Sequence, residues 1–378
     1  MSDIITIDKS AYGGTCLSLV DGKILFTPFV IPGEQADVEI MQDKKDFAFA
    51  RPRNIITSSP DRISPECPNF SRCGGCDYLH MNYERERDEK KNIIIDSLTR
   101  IGKLHIESIP VIKTLYDNRF HYRSHARIKS ADGTTGFFGK DSHTIIPFPS
   151  NGCLLLNEEI NSFIVTAKFN RAETPVAIDD QCTIIAPRDG RPLELTETVN
   201  GIRYHHSTKS FFQRNMLLRS KMIDRVMDYA GDDKNANILE LGCGCGFFSL
   251  PLAGRFHSVR GIDIDGESIR FARKNASENG ITNSEFIKLD DAFVSGKERA
   301  EIIVADPPRA GLSENTRRAI TSINPSRIIY ISCNPSTWAR DLKYFREHGF
   351  DLKEATLIDM FPGTMHIEII SLLAKQAS

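Results

Sequence analysis

Near the end of the chain one thiol stands in a setting unlike that of a packing residue. Cys333 lies in Ser332-Cys333-Asn334-Pro335, directly after the strand-like run RIIYIS. A free cysteine usually fills a core as a small hydrophobe, and Cys16, Cys182 and Cys243 take that reading here. Cys333 instead follows a strand at its carboxyl end, where open α/β sheets bind ligands. It is read as a nucleophile. The base that such a thiol needs is found in the final strand-like run. There, alternation puts His366, Glu368 and Ile370 on one side and Ile367, Ile369 and Ser371 on the other. A carboxylate inside an apolar strand is costly unless it is used or paired, so Glu368 is the candidate base. A free thiol has a pKa of about 8.5, and local positive charge must favour the thiolate. Arg309 and the helix N-terminus after Pro335 are the candidates for that help.

A second constellation binds a nucleotide-like group. Gly242, Gly244 and Gly246 follow the strand-like NILEL and open a helix, where bare backbone N–H groups can approach a ligand. Their G-x-G-x-G spacing differs from the dinucleotide G-x-G-x-x-G. Asp263 ends the next strand, at the place of a ribose-binding acid. Asp290 and Asp291 end the third, where either could meet an adenine amine, and Asp306 ends the fourth. S-adenosylmethionine accounts for the first three strand ends together, and the fourth points at the reaction centre. Methyltransferases acting on exocyclic amines resemble Asn-Pro-Pro-aromatic at the fourth strand end, whereas this chain has Asp306-Pro307-Pro308-Arg309. A carbon target fits better. Carbon 5 of uracil is too weak a nucleophile to take a methyl group from a sulfonium, but thiolate addition at carbon 6 turns the ring into an enolate. That chemistry uses both Cys333 and Glu368.

Two further clusters stand outside this region. Cys67, Cys73 and Cys76 lie in CPNFSRCGGC, too close together and too rich in Gly and Pro for core packing. They read as metal ligands needing a fourth; zinc or an iron–sulfur cluster would fit, with His80 one candidate fourth ligand. In RFHYRSHARIK, the side chains Arg119, His121, Arg123, His125, Arg127 and Lys129 are all odd-numbered. On one strand they would share a face with no acid among them, suited to an RNA phosphate backbone.

These residues need elements to hold them. The chain has 378 residues, long enough for two or three units. Short alternating runs at 14–20, 23–30, 36–41 and 47–55 predict a small β-barrel over residues 1–60. Residues 61–205 are read as a central β-rich unit, in which 83–102 form a charged amphipathic helix with Ile94, Leu98 and Ile101 on one face, able to pack on the catalytic domain. Residues 206–378 alternate strand and helix and predict a doubly wound, mostly parallel sheet. The composition is that of a globular protein, 40% hydrophobic and 26% charged, and the net charge of −2 means that RNA binding must come from a local basic surface. No apolar run is long enough to span a membrane, and the first residues carry no secretory pattern. A cytoplasmic monomer is expected, in which nine cysteines would stay reduced.

Three long motifs resemble the RNA uracil-5-methyltransferases that act on ribosomal and transfer RNA: DPPR-x-G at 306–311, SCNP at 332–335 and F-P-x-T-x-H-x-E at 361–368. The likeness runs over almost the whole chain. It implies a Rossmann-like class I methyltransferase domain with Cys333 as nucleophile and Glu368 as general base. The segment Phe211-Phe212-Gln213-Arg214-Asn215 matches the family's F-x-Q-x-N, implying that Gln213, with Asp263 and Asp306, contacts the methyl donor. The chain departs from the family where Gly242 replaces an aromatic residue and Phe247 an Asn, in a loop otherwise expected to bind donor. The cysteine run resembles the branch carrying a [4Fe–4S] cluster, which implies Cys153 as fourth ligand and leans toward 23S ribosomal RNA over transfer RNA. The first sixty residues resemble an OB-like TRAM barrel. An RNA cytosine-5 methyltransferase would resemble a pattern with a second cysteine near the Asp-Pro element, where Arg309 stands here. A non-catalytic RNA-binding protein would not need Cys333 and Glu368 together.

Overall fold

The computed structural model describes residues 3–187 and 191–376; the outermost residues of the first and last expected units lie outside the described ones. Strands β1 (Asp3–Thr6), β2 (Lys9–Ala11), β3 (Thr15–Val20), β4 (Lys23–Pro28), β5 (Gln35–Asp43) and β6 (Phe47–Thr57) form one sheet in the order β1-β5-β6-β4-β3-β2. The chain bends between residues 6 and 9, so β1 pairs with β5 while β2 pairs with β3. This closes the sheet into a barrel around Ile5, Leu25, Val38 and Ala48.

Asn82 caps helix α1 (Tyr83–Arg100) by accepting from the Arg85 N–H at 2.8 Å. Strand β7 (Ile112–Leu115) follows. A five-stranded sheet then contains β8 (His125–Ala131), β9 (Thr134–Phe138), β10 (Ile145–Pro147), β11 (Glu173–Ile178) and β12 (Ile184–Ile185), with α2 (Glu158–Ile164) packed on it. A hairpin of β13 (Glu194–Val199) and β14 (Ile202–Ser207) leads to α3 (Arg219–Ala230). The remaining elements alternate: β15 (Asn237–Leu241), α4 (Ser249–Ala253), β16 (Ser258–Asp263), α5 (Gly266–Glu278), β17 (Ser284–Lys288), β18 (Ile302–Ala305), α6 (Glu314–Ile323), β19 (Arg327–Ser332), α7 (Pro335–Glu347), β20 (Phe350–Ile358) and β21 (Glu368–Lys375).

The large sheet runs β17-β16-β15-β18-β19-β21-β20-β7. Only β21 is antiparallel to its neighbours. Side chains of α3, α4 and α5 cover one face, and those of α1, α6 and α7 the other. The unit expected over residues 61–205 therefore divides differently. Its helix α1, read from the sequence as able to pack on the catalytic domain, buries Ile94 and Leu98 against Trp338 and Leu342 of α7. Its strand β7 is the edge of the large sheet, parallel to β20. The β13–β14 hairpin straddles the expected boundary, and Tyr204 sits in the core of the large domain. No helix of the described residues is long and apolar enough to cross a membrane.

Candidate active site

The sheet reverses strand order between β15 and β18, which opens a crevice at their carboxyl ends. Gly242 follows β15 and Asp306 follows β18. A Cβ on Gly242 would lie 2.5 Å from the Asp306 carbonyl oxygen, and its φ of +79° also favours glycine. The side chain that Gly242 replaces has no room here. Asp263, at the end of β16, accepts from the Gly244 N–H at 2.8 Å and the Asp265 N–H at 2.8 Å. It thus fixes the glycine loop while facing the crevice. Asp290, Asp291 and the buried Gln213 line the same space. Asp291 accepts from Thr316 Oγ1 at 2.9 Å, and Asp290 caps the Ala292 N–H at 2.9 Å. Gly246 and Phe247 do not line the crevice. Phe247 packs among Tyr204, Phe212 and Phe248, which corrects the expectation of a donor contact by its side chain.

Register brings the nucleophile and base together. Ser332 of β19 pairs with Ile369 of the antiparallel β21, so Cys333 is opposite Glu368. Asn334 caps α7 by accepting from the Ser336 N–H at 3.0 Å, and Pro335 opens the helix, which needs no N–H there. The Asn334 amide also donates to the Arg309 carbonyl at 3.0 Å, tying the Asp-Pro-Pro-Arg loop to the thiol's turn. The strap before Glu368 is held from outside. The Gly363 N–H donates to Glu86 at 2.6 Å, Lys90 donates to the Phe361 carbonyl at 3.2 Å, and the Met365 N–H donates to Asp77 at 2.8 Å.

Electrostatics in the crevice favour protonated forms. Burial, Glu368 and Asp306 push the Cys333 thiol up to about 11, against the pull of Arg309. The expected help from Arg309 is present and is outweighed. Burial and then Asp306 raise Glu368 well above the carboxylate range, and burial and Asp263 raise Asp306 to about 7. His366 is lowered to about 4 by burial and by Arg309, whose guanidinium donates to its Nδ1 at 2.9 Å.

The crevice continues, as one cleft of about 1900 Å³, to a second group of thiols: Cys67, Cys73, Cys76 and Cys153. Burial raises Cys73, Cys76 and Cys153, the last to about 11, and the neighbouring thiols raise Cys76 further. His80 is buried away from them, its Nε2 3.2 Å from the Val30 carbonyl. Cys182 is exposed rather than a core filler, while Cys16 and Cys243 are buried.

The predicted basic strand is broken. Only residues 125–131 of it are extended in a sheet, and His121 takes a φ of +57° where the chain turns. Arg119 points inward to Glu86 at 2.8 Å, within a buried group that includes Lys90 and Asp359. His125 is buried too. Lys129 pairs with Glu173 of β11, an acid that the periodicity of one strand cannot show. Arg123 and Arg127 do line the cleft, joined by Arg214, which burial and these two arginines lower to about 10. The sequence offered Arg214 only as a neighbour of Gln213. His125, Glu197 and His206 approach as metal ligands do, with donor atoms within 4.8 Å. Arg219 donates to both Glu197 oxygens, however, so the position already holds a cation.

A model of the tRNA (uracil-5-)-methyltransferase family matches residues 191–376. An RNA methyltransferase of Aquifex aeolicus, itself uncharacterized, is 32% identical, over 98% of this chain and 97% of its own. Another from Listeria monocytogenes is 28% identical over 98% and 96%. The chain belongs to the RNA (uracil-5-)-methyltransferase family. This S-adenosylmethionine-dependent family accounts for the crevice and its acids. The fold of this RNA methyltransferase also matches a tRNA (uracil-54, C5)-methyltransferase of Pyrococcus abyssi solved with S-adenosyl-L-homocysteine. The TM-score is 0.75, the identity 21%, and the match covers 98% of this chain and 99% of that one.

Proposed function

We propose that this enzyme methylates carbon 5 of a uridine in ribosomal RNA through a covalent adduct with Cys333. The opposition of Cys333 and Glu368 at paired strand ends, beside the donor crevice, carries this reading. When bound, S-adenosylmethionine supplies an electrophilic methyl group on a positive sulfonium, which also favours the ionised forms of nearby thiol and carboxyl groups. The Cys333 thiolate adds to carbon 6, and the electrons of the 5,6 double bond move into the enolate. Carbon 5 then takes the methyl group as the methyl–sulfur bond breaks, its electron pair staying on a now neutral sulfur. Glu368 removes the carbon-5 proton, the sulfur–carbon 6 bond breaks, and the double bond and thiolate return. Reaching these atoms requires a base splayed out of its stack. Arg123 and Arg127 are proposed phosphate contacts, Gln213, Asp263, Asp290 and Asp306 donor contacts, and the barrel an OB-like TRAM module that grips RNA.

We further propose that the four thiols hold a [4Fe–4S] cluster, which their gathering on one cleft supports. A tetrahedral zinc site with Zn–S of about 2.3 Å needs sulfurs about 3.8 Å apart. No three of these described sulfurs lie within 4.8 Å of one another, a wider spread that suits thiolates each holding a different iron. When bound, the cluster supplies a rigid cross-link between the loop of 67–76 and Cys153. The ribosomal target rests on the resemblance of the cysteine run, and transfer RNA is the second reading because the matched Pyrococcus structure is a tRNA enzyme. Mass mapping of 5-methyluridine in ribosomal and transfer RNA from a strain lacking the gene tests both. Loss of one ribosomal site is expected, while loss confined to transfer RNA would replace the first reading by the second. Protein purified without oxygen should be brown with about four irons per chain; a colourless zinc protein would sink the cluster.

A further inference from the structure

One side chain of the barrel reaches the catalytic turn. Tyr12, between β2 and β3, donates its hydroxyl to the Cys333 carbonyl at 3.0 Å. Among the described residues it is the one donor to that carbonyl. The ring packs against the same core as α1 and α7. The surrounding loop is tightly seated. Gly14 has a φ of +81°, and a Cβ there would lie 2.9 Å from Asp77 Oδ1. Asp77 in turn holds the Met365 N–H of the strap before Glu368. Lys9 of β2 pairs with Asp96 of α1 at 2.5 Å. Burial keeps the Tyr12 hydroxyl protonated far above neutral pH, so it is a standing donor.

The position of that carbonyl gives the contact its meaning. The β19 ladder ends at Ser332 and α7 begins at Pro335, so the peptide after Cys333 belongs to neither element and is held by side chains, its N–H donating to Ser332 Oγ at 3.2 Å and its carbonyl accepting from Tyr12. Displacement of that peptide would shift the Cα that carries the Cys333 side chain, and a misplacement of about 1 Å in a reacting group can cost 10²-fold in rate. We propose that Tyr12 is a positioning residue, a barrel side chain that fixes the Cys333 peptide so that the thiol is aimed at carbon 6 of the target base. This rests on the reading of Cys333 as nucleophile. It makes the barrel part of the catalytic assembly rather than only a grip on RNA, and the two roles separate in rate against affinity.

The test compares full-length wild type with Tyr12→Phe, which keeps the ring packing, both carrying their native metal content and matched by thermal melting. Ribosomal RNA transcribed with 5-fluorouridine is the probe, since fluorine cannot leave as a proton and the adduct is trapped. The expected result is an adduct rate about tenfold lower at saturating RNA, with RNA affinity within about twofold of wild type. Equal adduct rates, or a defect confined to affinity, would overturn the proposal. Iodoacetamide labelling of Cys333, read by peptide mass spectrometry without RNA, gives an independent measure. A changed rate in Tyr12→Phe is expected, and an unchanged one counts against the inference. Transfer RNA transcribed with 5-fluorouridine is the second probe; if wild type forms no adduct with either RNA, the nucleophile reading fails, while the labelling still decides whether Tyr12 fixes Cys333.

Discussion

The cleft has thiols at both ends, and the two ends are built differently. Cys333 is a single sulfur on a two-residue turn between a strand and a helix, with a carboxylate set opposite it by sheet register. Cys67, Cys73, Cys76 and Cys153 all come from loops outside the named strands, Cys73 making an isolated bridge to Gly139. Burial raises the thiol pKa at both ends. The difference lies in what surrounds each: at one end a lone thiol meets acids and Arg309, and at the other thiols meet thiols. A nucleophile needs one fixed vector, and strand ends supply it. A metal cluster needs several soft ligands and can itself hold the loops that carry them.

The contrast can be broken most sharply at Cys333. Cys333→Ala should lower turnover by about 10⁴-fold or more and form no adduct with 5-fluorouridine RNA, while keeping the metal content and melting temperature of wild type. A donor-dependent adduct in that variant would place the nucleophile elsewhere. Glu368→Gln should be slower by about 10²–10⁴-fold and should accumulate a protein–RNA adduct that survives denaturing electrophoresis, because attack and methylation precede the lost step. At the other end of the cleft, Cys153→Ser should lose most bound iron and melt a few degrees lower, about 4–8 °C for each ~1 kcal/mol in a small domain and less here. Cys182→Ser, on an exposed turn, should do neither, and iodoacetamide should still label Cys333 in both.

Smaller effects sharpen the electrostatic side. Both active groups have raised pKa values and both must be ionised to react, so the sign is the same for each. The value of kcat/KM should climb with pH through the neutral range, by about tenfold per unit where one group titrates. A profile that falls between pH 7 and 8 would contradict the arrangement around Cys333. Arg127→Ala should weaken RNA binding slightly and reduce the salt slope by about 1; an unchanged slope would remove this side chain from the RNA path.

The catalytic half was legible because a parallel sheet writes itself as alternating strands and helices, and its ligands gather where strands stop. Asp263, Asp306 and Cys333 could be placed on that rule alone. The basic stripe failed because periodicity assumes an unbroken strand. The chain turns at His121, and residues 121–123 bond instead to 154–155 and Asn215, partners far away in sequence. Helix α3 was missed although Met222, Ile223, Val226, Tyr229 and Ala230 show its apolar face plainly. Tyr12 left no mark to read, since a tyrosine before two glycines looks like any turn. Arg119 looked like a ligand for phosphate because Glu86, its partner, lies on another element.

Strand β7 carries a consequence for how the molecule is made. It emerges from the ribosome early, yet the neighbour it pairs with, β20, is translated more than two hundred residues later. Until then its backbone N–H and C=O groups have no ladder, and the sheet cannot gain its last edge by local steps. Such a long-range pairing slows folding and lengthens the time in which an open edge can meet another chain. The same strand limits dissection. A fragment beginning after residue 115 would expose β20 as an unpaired edge and strip α1 from the face of α7, so the donor-binding domain is not a separable cassette that begins at its own glycine loop.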